Sequence, residues 1–209
     1  MSSTNEYFMT STNELSFFQG LISGTIQTIV GHPLDTIKVL LQNNQKVNYS
    51  RKLFNGISPV LITNSLITGV QFYTFQNYSP LVLGFISALI STPIEYYKIQ
   101  KQTFNKYPKT IPRGFGITFL RETIALNCYF NLYNYLEKPM GVFMAGGIAG
   151  STSWLLTYAI DTVKTRIQSG DSFQEAIAKK NFNKGLFFCL TRGFIVNGFG
   201  FIGASFIKN

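Results

Sequence analysis

Residues 31–42 read Gly-His-Pro-Leu-Asp-Thr-Ile-Lys-Val-Leu-Leu-Gln, and their charge pattern returns twice further along the chain. The second copy is Pro-Ile-Glu-Tyr-Tyr-Lys-Ile-Gln-Lys-Gln at 93–102, and the third is Ala-Ile-Asp-Thr-Val-Lys-Thr-Arg-Ile-Gln at 159–168. Each copy has an acid, a base three residues later and a glutamine four residues after the base. On a helix, this spacing puts acid and base on nearly the same face. Three copies of one unit predict a molecule with three similar parts.

The composition favours a membrane environment. The 209 residues are 45% hydrophobic and 15% aromatic but only 13% charged, which is a small charged fraction for a water-facing surface. No run of 18 apolar residues is uninterrupted, as expected if one face of each helix lines a wet cavity. Six helices, most of them long enough to cross a bilayer, are predicted at 16–42, 54–77, 80–103, 112–138, 140–168 and 185–207.

The predicted fold is an all-α membrane protein in which six transmembrane helices form three pseudo-threefold repeats of a helix pair around a central cavity. A polar N-terminal tail at 1–15 is expected to precede the repeats. The first, second and third repeats are placed at 16–77, 78–138 and 139–209.

Prolines and glycines refine the helices. Pro33 and Pro93 are expected to kink the first and third helices, because proline removes a backbone hydrogen bond and crowds the preceding turn. Ala159 stands at the same place in the third copy, so that helix is expected to be straighter. The spacing Gly20-x-x-x-Gly24 predicts that a neighbouring helix approaches closely there.

The net charge of +9 raises the question of nucleic-acid binding. Of the 18 Lys and Arg residues, 14 lie in or next to the segments that follow the odd-numbered helices. This distribution is typical of a membrane protein with one basic side, and it argues against a nucleic-acid partner. In the last of these segments, Ser172 and Glu175 predict an N-capped surface helix at 172–180.

Several function classes have no signal in the sequence. No nucleophile–base constellation, metal-ligand set or phosphate loop is present, so we expect no enzyme, metal site or cofactor. Cys128 and Cys189 lack metal-ligand spacing and are predicted to be buried reduced thiols. Residues 1–15 contain no apolar stretch and no Arg, so no cleavable presequence is expected.

Pro-x-Asp/Glu-x-x-Lys/Arg, repeated three times in a chain of six helices, resembles the mitochondrial carrier family over nearly the whole chain. The resemblance implies a monomeric, multi-pass solute transporter of the mitochondrial inner membrane that works by alternating access. Each acid of a matrix-side network would meet a Lys from the next copy. The implied network consists of Asp35, Lys38, Glu95, Lys98, Asp161 and Lys164, braced by Gln42, Gln102 and Gln168.

The resemblance extends to both ends of the even-numbered helices. Gly56, Gly114 and Gly185 are similar to the glycines of the family's aromatic-basic-glycine elements, which bind cardiolipin head groups at a helix N-terminus. At the other ends the family often has a second, cytoplasmic network of acids and bases. The residues at those acid positions here are Gln76, Asn134 and Ser205. Hydrogen bonds are therefore expected in place of ion pairs, and the cytoplasmic gate that they form is expected to be weak.

The family's substrate site lies on the even-numbered helices, which the same three glycines align. Seven residues after each glycine come Thr63, Arg121 and Arg192, with Asn64 and Glu122 beside the first two. Ionisable groups at mid-membrane are expensive to hold and therefore functional by default. Two Arg with one Glu would leave a positive excess for an anionic group of the substrate to neutralise. The alternative is an internal ion pair with no ligand.

The pair Arg121–Glu122 resembles the Arg-acid pair of amino acid and carnitine carriers, and the flanking residues look most like the ornithine or basic amino acid branch. The implied substrate is therefore a cationic amino acid. Trp154 is expected to be a cavity wall that contacts a cation, with a lipid-interface anchor as the alternative. The alternative functions are a carnitine or acylcarnitine carrier, a nucleotide carrier and a transport-inactive homologue. The implied substrate-binding residues are Thr63, Asn64, Arg121, Glu122, Trp154, Arg192 and Asn197.

Overall fold

The structure is a computed structural model. It describes the backbone of residues 3–42, 54, 57–104, 112–179, 182 and 185–207. The side chains of these residues are described except at 3–13, 35–42, 59 and 98–104.

Seven helices and no strand occur in the described residues. The structure confirms helices at all six long predicted positions and at the predicted surface helix. Their bounds are α1 Ser3–Gln42, α2 Ile57–Asn77, α3 Pro80–Phe104, α4 Phe115–Met140, α5 Val142–Gln168, α6 Phe173–Ala178 and α7 Leu186–Ser205.

The first helix differs from its prediction. α1 begins at Ser3, so most of the tail expected at 1–15 belongs to the helix. Residues 3–15 contain neither proline nor glycine, and nothing in them ends a helix that extends back from Ser16. α1 and α3 continue through Pro33 and Pro93, and the kinks there stay predictions.

The six long helices form a closed ring. α1 packs against α2, and contacts continue in chain order from α2 to α3, α4 and α5, then from α5 to α7 and from α7 back to α1. The short helix α6 packs on α5. A ring of helices leaves space along its axis, and this is where the polar faces of the helices meet.

Two described helices, Pro80–Tyr97 of α3 and Leu186–Ser205 of α7, are long and apolar enough by composition alone to cross a membrane. The polar residues that the other long helices direct to the axis lower their mean hydropathy. Large apolar side chains on the outside of the ring are more than half exposed, as lipid contact requires. Examples are Ile62, Leu81, Leu89, Leu155 and Leu156.

The predicted glycine spacing marks a close helix contact. A Cβ on Gly20 of α1 would lie 2.5 Å from the carbonyl oxygen of Thr68 and 2.7 Å from Cα of Gly69, both on α2. Gly24 meets the α2 backbone in the same way, since its Cβ would be 2.8 Å from Cα of Ser65. The two helices therefore touch through their backbones, as predicted for small residues four apart.

Gly20→Ala is expected to destabilise the protein by about 1–3 kcal/mol, because backbone atoms cannot yield to the added methyl group as a flexible side chain could. Gly116 on α4 is a matched control, since a Cβ there meets nothing within 4 Å. Gly116→Ala should be neutral or stabilise by up to about 1 kcal/mol. Thermal unfolding in detergent measures both, and equal melting temperatures for the two variants would contradict the close contact.

The surface helix α6 is fixed at both ends. At its start, the Glu175 backbone N–H donates to Ser172 Oγ (3.3 Å), and the Ser172 N–H donates to Glu175 Oε2 (2.8 Å). The hydrogen bonds that the Ser172 N–H and hydroxyl donate to the Glu175 carboxylate lower the pKa of Glu175. Near its end, Arg166 of α5 donates to the carbonyl oxygen of Ala176 (2.8 Å) and lies over the Phe182 ring. The predicted capping box is confirmed.

Candidate functional site

A cavity of about 260 Å³ lies inside the ring, and every one of the six long helices contributes to its wall. Most of the polar lining comes from amides and hydroxyls. Charged groups come from α3 and α4 alone among the described residues. The polar and aromatic side chains that matter below are Gln27, Asn64, Glu95, Arg121, Glu122, Tyr129, Trp154 and Asn197.

Of the seven predicted substrate-binding residues, all of which the structure describes, five line this cavity: Asn64, Arg121, Glu122, Trp154 and Asn197. Thr63 and Arg192 do not. Thr63 precedes Asn64 on α2, and neighbouring residues on a helix point about 100° apart. The short Thr63 side chain therefore does not reach the cavity that Asn64 faces, whereas the longer side chains of both Arg121 and Glu122 line it. The Arg192 guanidinium lies beside α1, where a Cβ on Gly31 would be 3.2 Å from Nη2.

Five charged side chains form a chain of alternating sign that starts in the cavity. Arg121 pairs with Glu122 on α4, and its Nε lies 3.6 Å from Asp161 Oδ1. Lys164 Nζ lies 3.3 Å from the same Asp161 oxygen and 2.7 Å from Glu95 Oε2 on α3. Lys164 and Glu122 are almost fully buried, with 2% and 3% of their surface exposed. Two of the predicted substrate residues, Arg121 and Glu122, are thus connected to three members of the predicted matrix-side network, Glu95, Asp161 and Lys164.

This charge chain, defined as Glu122, Arg121, Asp161, Lys164 and Glu95, has three acids and two bases. It carries one excess negative charge, in contrast to the positive excess expected from two Arg and one Glu. The reason is that Arg192 lies at α1 while Asp161 reaches Arg121. Both ends of the chain are acids that line the cavity. A cation entering the cavity meets a carboxylate at either end.

Part of the predicted network lies outside the described side chains: Asp35, Lys38, Lys98, Gln42 and Gln102. The third glutamine, Gln168, is fully buried. Its Cγ lies 3.4 Å from the place where a Cβ on Gly114 would be. Gln168 therefore packs between the end of α5 and the start of α4, and its role as a brace stays a prediction.

Trp154 faces the cavity and contacts a cation of the protein itself. The Arg121 Cζ lies 5.2 Å from the centroid of the Trp154 ring, within the range of a cation–π contact. Together with Glu122 and Asp161, this ring holds the guanidinium on three sides. Trp154 therefore fixes the direction in which Arg121 presents its remaining N–H groups.

Two further residues of the cavity, Gln27 and Tyr129, were missed by the sequence analysis. Tyr129 Oη donates to Asn197 Oδ1 (3.0 Å), while Gln27 Nε2 lies 3.3 Å from Tyr129 Oη and 3.4 Å from Asn197 Oδ1. Helical spacing could have found Tyr129, which follows Glu122 by seven residues and therefore lies about two turns away on nearly the same face. Gln27 precedes Asp35 by eight residues, which is about 80° around the helix, so the same spacing does not identify it.

A packed cluster of rings, the aromatic plug, separates this cavity from a second one of about 130 Å³. Phe72, Phe130 and Phe201 are each less than 7% exposed. The Phe72 ring centroid lies 5.0 Å from that of Phe130 and 5.8 Å from that of Phe201, and Tyr133 stacks on Phe201 at 3.5 Å. Each of the three Phe residues lies sixteen positions after the glycine used to align its helix, a signal that was present in the sequence.

The second cavity is lined by the three residues at the acid positions of the family's cytoplasmic network. Gln76, Asn134 and Ser205 all line it, together with Gln19. No hydrogen bond joins these four described side chains to one another, and the Ser205 hydroxyl donates to the carbonyl of Ile202 instead. The expected hydrogen bonds between Gln76, Asn134 and Ser205 are therefore absent from the described part of the chain. Packed rings close this end.

Gly114 and Gly185 sit at the starts of α4 and α7 with φ of 91° and 89°. This left-handed conformation is strained for any residue with a Cβ, which explains glycine at both positions. Gly56 lies outside the described residues. Cardiolipin binding at these glycines stays a prediction.

Comparison with known proteins gives one family and several relatives. The family described as mitochondrial carrier protein matches residues 11–52 and 135–208. A mitochondrial basic amino acids transporter of Rattus norvegicus is 30% identical over 88% of this chain and 85% of its own length. The mitochondrial arginine transporter BAC2 of Arabidopsis thaliana is 25% identical, over 91% of this chain and 89% of its own length.

A third relative, the mitochondrial carnitine carrier of Saccharomyces cerevisiae, is 27% identical over 91% of this chain and 86% of its own length. The alignment with the rat protein extends over 261 positions, more than the 209 residues of this chain, so the rat protein carries insertions within the matched region. No solved structure matches the chain.

Proposed function

The chain belongs to the mitochondrial carrier family, and from this premise we propose that it transports a basic amino acid across the mitochondrial inner membrane by alternating access. The family consists of transporters, which fits the lack of a catalytic constellation in the sequence. We propose six transmembrane spans in three repeats at 16–77, 78–138 and 139–209, formed by the ring of α1 to α5 and α7. The protein would act as a monomer, since one chain encloses the whole cavity.

The observation that carries this proposal is the acidic ends of the charge chain. A basic amino acid has one carboxylate and two cationic groups. Its net charge of +1 would balance the one excess negative charge of the charge chain. Its carboxylate would bind the Arg121 guanidinium, which Trp154 holds in place, and its α-ammonium would bind Glu122. Charge-assisted hydrogen bonds of this type are about twice as strong as neutral ones.

Alternating access requires a closure on each side of the cavity, and the described residues offer one candidate for each. The Glu95–Lys164 pair joins α3 to α5 at the end where the basic segments follow the helices. The excess of Lys and Arg there supports a matrix orientation for this end. The aromatic plug lies at the opposite end, toward the cytoplasm. Opening the matrix side would separate an ion pair, whereas opening the cytoplasmic side would unpack rings.

We also propose that cardiolipin binds outside the ring at the helix starts marked by Gly114 and Gly185, and by Gly56 outside the described residues. Exposed N–H groups at a helix N-terminus favour an anionic head group. The left-handed glycines support this because neither residue adds a side chain of its own at the start of its helix.

The second candidate substrate is carnitine, which one relative's name favours. Carnitine has a carboxylate for Arg121, but its quaternary ammonium has no N–H and would contact the site by charge alone. A nucleotide fits less well, since its phosphates would face the excess negative charge of the described side chains. If the protein were a transport-inactive homologue, the buried ion pairs would have no function other than stabilising the fold.

We expect the purified protein in liposomes to take up labelled lysine, ornithine or arginine, and we expect excess unlabelled basic amino acid to block this uptake. Unlabelled carnitine and ATP are also tested as competitors, because they represent the carnitine and nucleotide alternatives. Saturable uptake of labelled carnitine, without uptake of any labelled basic amino acid, would favour the second candidate. Absence of uptake for every solute, by a protein that melts cooperatively, would contradict transport itself.

A further inference from the structure

We infer that Gln27, Tyr129 and Asn197 form an uncharged end of the substrate site. This end recognises the hydrogen-bond donor at the end of the substrate's side chain. This inference rests on the proposed function and deepens it. The proposed function places the amino acid head group at Arg121 and Glu122. The three side chains, here called the amide–phenol cluster, come from α1, α4 and α7 and line the same cavity.

A fixed backbone contact sets the orientation of the cluster. Asn197 Nδ2 donates to the carbonyl oxygen of Gly193 at 2.7 Å, so Asn197 Oδ1 must be the atom that faces α1 and α4. That oxygen accepts from Tyr129 Oη at 3.0 Å and from Gln27 Nε2 at 3.4 Å. Turning the Gln27 amide over would place two carbonyl oxygens against each other. The amide nitrogen of Gln27 therefore belongs inside the cluster.

This orientation leaves Gln27 Oε1 as an acceptor. Gln27 uses Nε2 for its contacts with Ser23, Tyr129 and Asn197, and no group in the described part of the chain donates to Oε1. Ammonium and guanidinium groups have donors and no acceptor. A neutral carbonyl oxygen in a cavity wall suits such a group, and a substrate carboxylate would be repelled by it.

The distance along α4 suits an amino acid with a long side chain. Tyr129 follows Glu122 by seven residues, which places the two about 10 Å apart along the helix axis. The α-nitrogen, which binds Glu122, and Nζ of extended lysine are about 7–8 Å apart, from six bonds of ordinary length. A hydrogen bond of about 3 Å at each end extends this reach beyond the separation along the axis, so the ligand can contact both ends of the site.

The cluster has no acid of its own, since the described acids that line the cavity, Glu95 and Glu122, both belong to the charge chain. Recognition at this end therefore depends on a donated hydrogen bond more than on an ion pair. Lysine and norleucine separate the two possibilities. They share the head group and the carbon chain, but norleucine lacks the terminal ammonium.

The test compares both amino acids as inhibitors of labelled ornithine uptake into liposomes. In Gln27→Met, of similar size but without an acceptor, the inhibition constant of lysine should rise about tenfold or more, as expected for loss of a hydrogen bond to a charged group. The constant of norleucine should stay within about twofold. Gln27→Glu loses the hydrogen bond to Asn197 but keeps an acceptor oxygen toward the cavity, so both constants can change while the preference for lysine over norleucine should be retained. Gln174→Met, an exposed change on α6, should alter neither constant.

Tyr129→Phe tests the positioning role of the phenol. It removes the group that accepts from Gln27 and donates to Asn197, and a smaller rise in the lysine constant alone is expected.

The outcomes separate this inference from the proposed function. If the wild-type protein takes up lysine and Gln27→Met keeps the wild-type ratio of the two constants, the inference is overturned and the proposed function stands. Equal harm from Gln27→Glu and Gln27→Met, to lysine and norleucine alike, would reduce Gln27 to a packing role and also overturn it. A wild-type protein that takes up no basic amino acid would overturn the proposed function and this inference with it.

Discussion

Glu122→Gln is expected to lower the uptake of lysine, ornithine and arginine into liposomes at least about a hundredfold. Glu122 is 3% exposed and pairs with Arg121 inside the cavity. Removing Glu122 leaves Arg121 only its longer contact with Asp161, and breaking a buried pair costs about 3–5 kcal/mol. The substituted charge chain would have no net charge, and the Arg121 guanidinium would face an entering cation directly.

The control is Glu14→Gln. Glu14 lies on α1, is exposed and lies outside both cavities, so the same chemical change there should leave uptake unaltered. Melting temperatures of both variants separate a damaged site from a damaged fold. Normal uptake of the cations by Glu122→Gln would show that this carboxylate does not contact the substrate.

The second large effect is expected at Lys164, which bridges Glu95 and Asp161 at 2.7 and 3.3 Å. Lys164→Glu would place a third carboxylate between those of Glu95 and Asp161 at an almost fully buried position. We expect this change to abolish uptake and to lower the melting temperature. Glu95→Lys alone would set two ammonium groups against each other. The double variant restores one ion pair with reversed sign, so it should recover part of the loss.

Recovery should be incomplete, because a carboxylate at 164 would still lie one turn from Asp161. A double variant no better than either single variant would show that the Glu95–Lys164 pair does not join α3 to α5. The exposed pair Asp171–Lys179, at 2.5 Å, provides a control. Exposed pairs contribute about 0–1 kcal/mol, so Lys179→Glu should barely change the melting temperature.

Sequence patterns were sufficient to predict the elements of this fold. The long helices follow from apolar faces with interspersed small and polar residues. The start of α6 follows from Ser172 and Glu175, whose reciprocal hydrogen bonds depend on local geometry alone. The close contact at Gly20 was predicted for the same reason, since spacing within one helix decides which face carries no side chains. The start of α1 was predicted wrongly because a polar composition does not by itself end a helix.

The candidate site was harder to predict because it depends on direction as well as depth. Counting from the helix starts placed Thr63 and Arg192 at the same depth along their helices as the cavity. A difference of one residue, however, turns a side chain by about 100° around the helix. Gln27 was missed because it lies on α1, whereas the resemblance directs attention to the even-numbered helices. The partners of Arg121 depend on how α4 meets α5, and no pattern within either helix specifies that contact.

The aromatic plug determines where the membrane voltage would act on a passing ion. When the cavity is open to the matrix, its water has a high dielectric constant and the packed rings of Phe72, Phe130 and Phe201 have a low one, so most of the electric field falls across the rings. A cation that enters the cavity from the matrix has then crossed little of the voltage. Its passage through the plug would release or consume about 2.3 kcal/mol for each 100 mV. A wider plug would spread the field over more of the cavity, so binding in the cavity would depend more on the voltage, while the free energy of moving the charge across the whole membrane would stay the same.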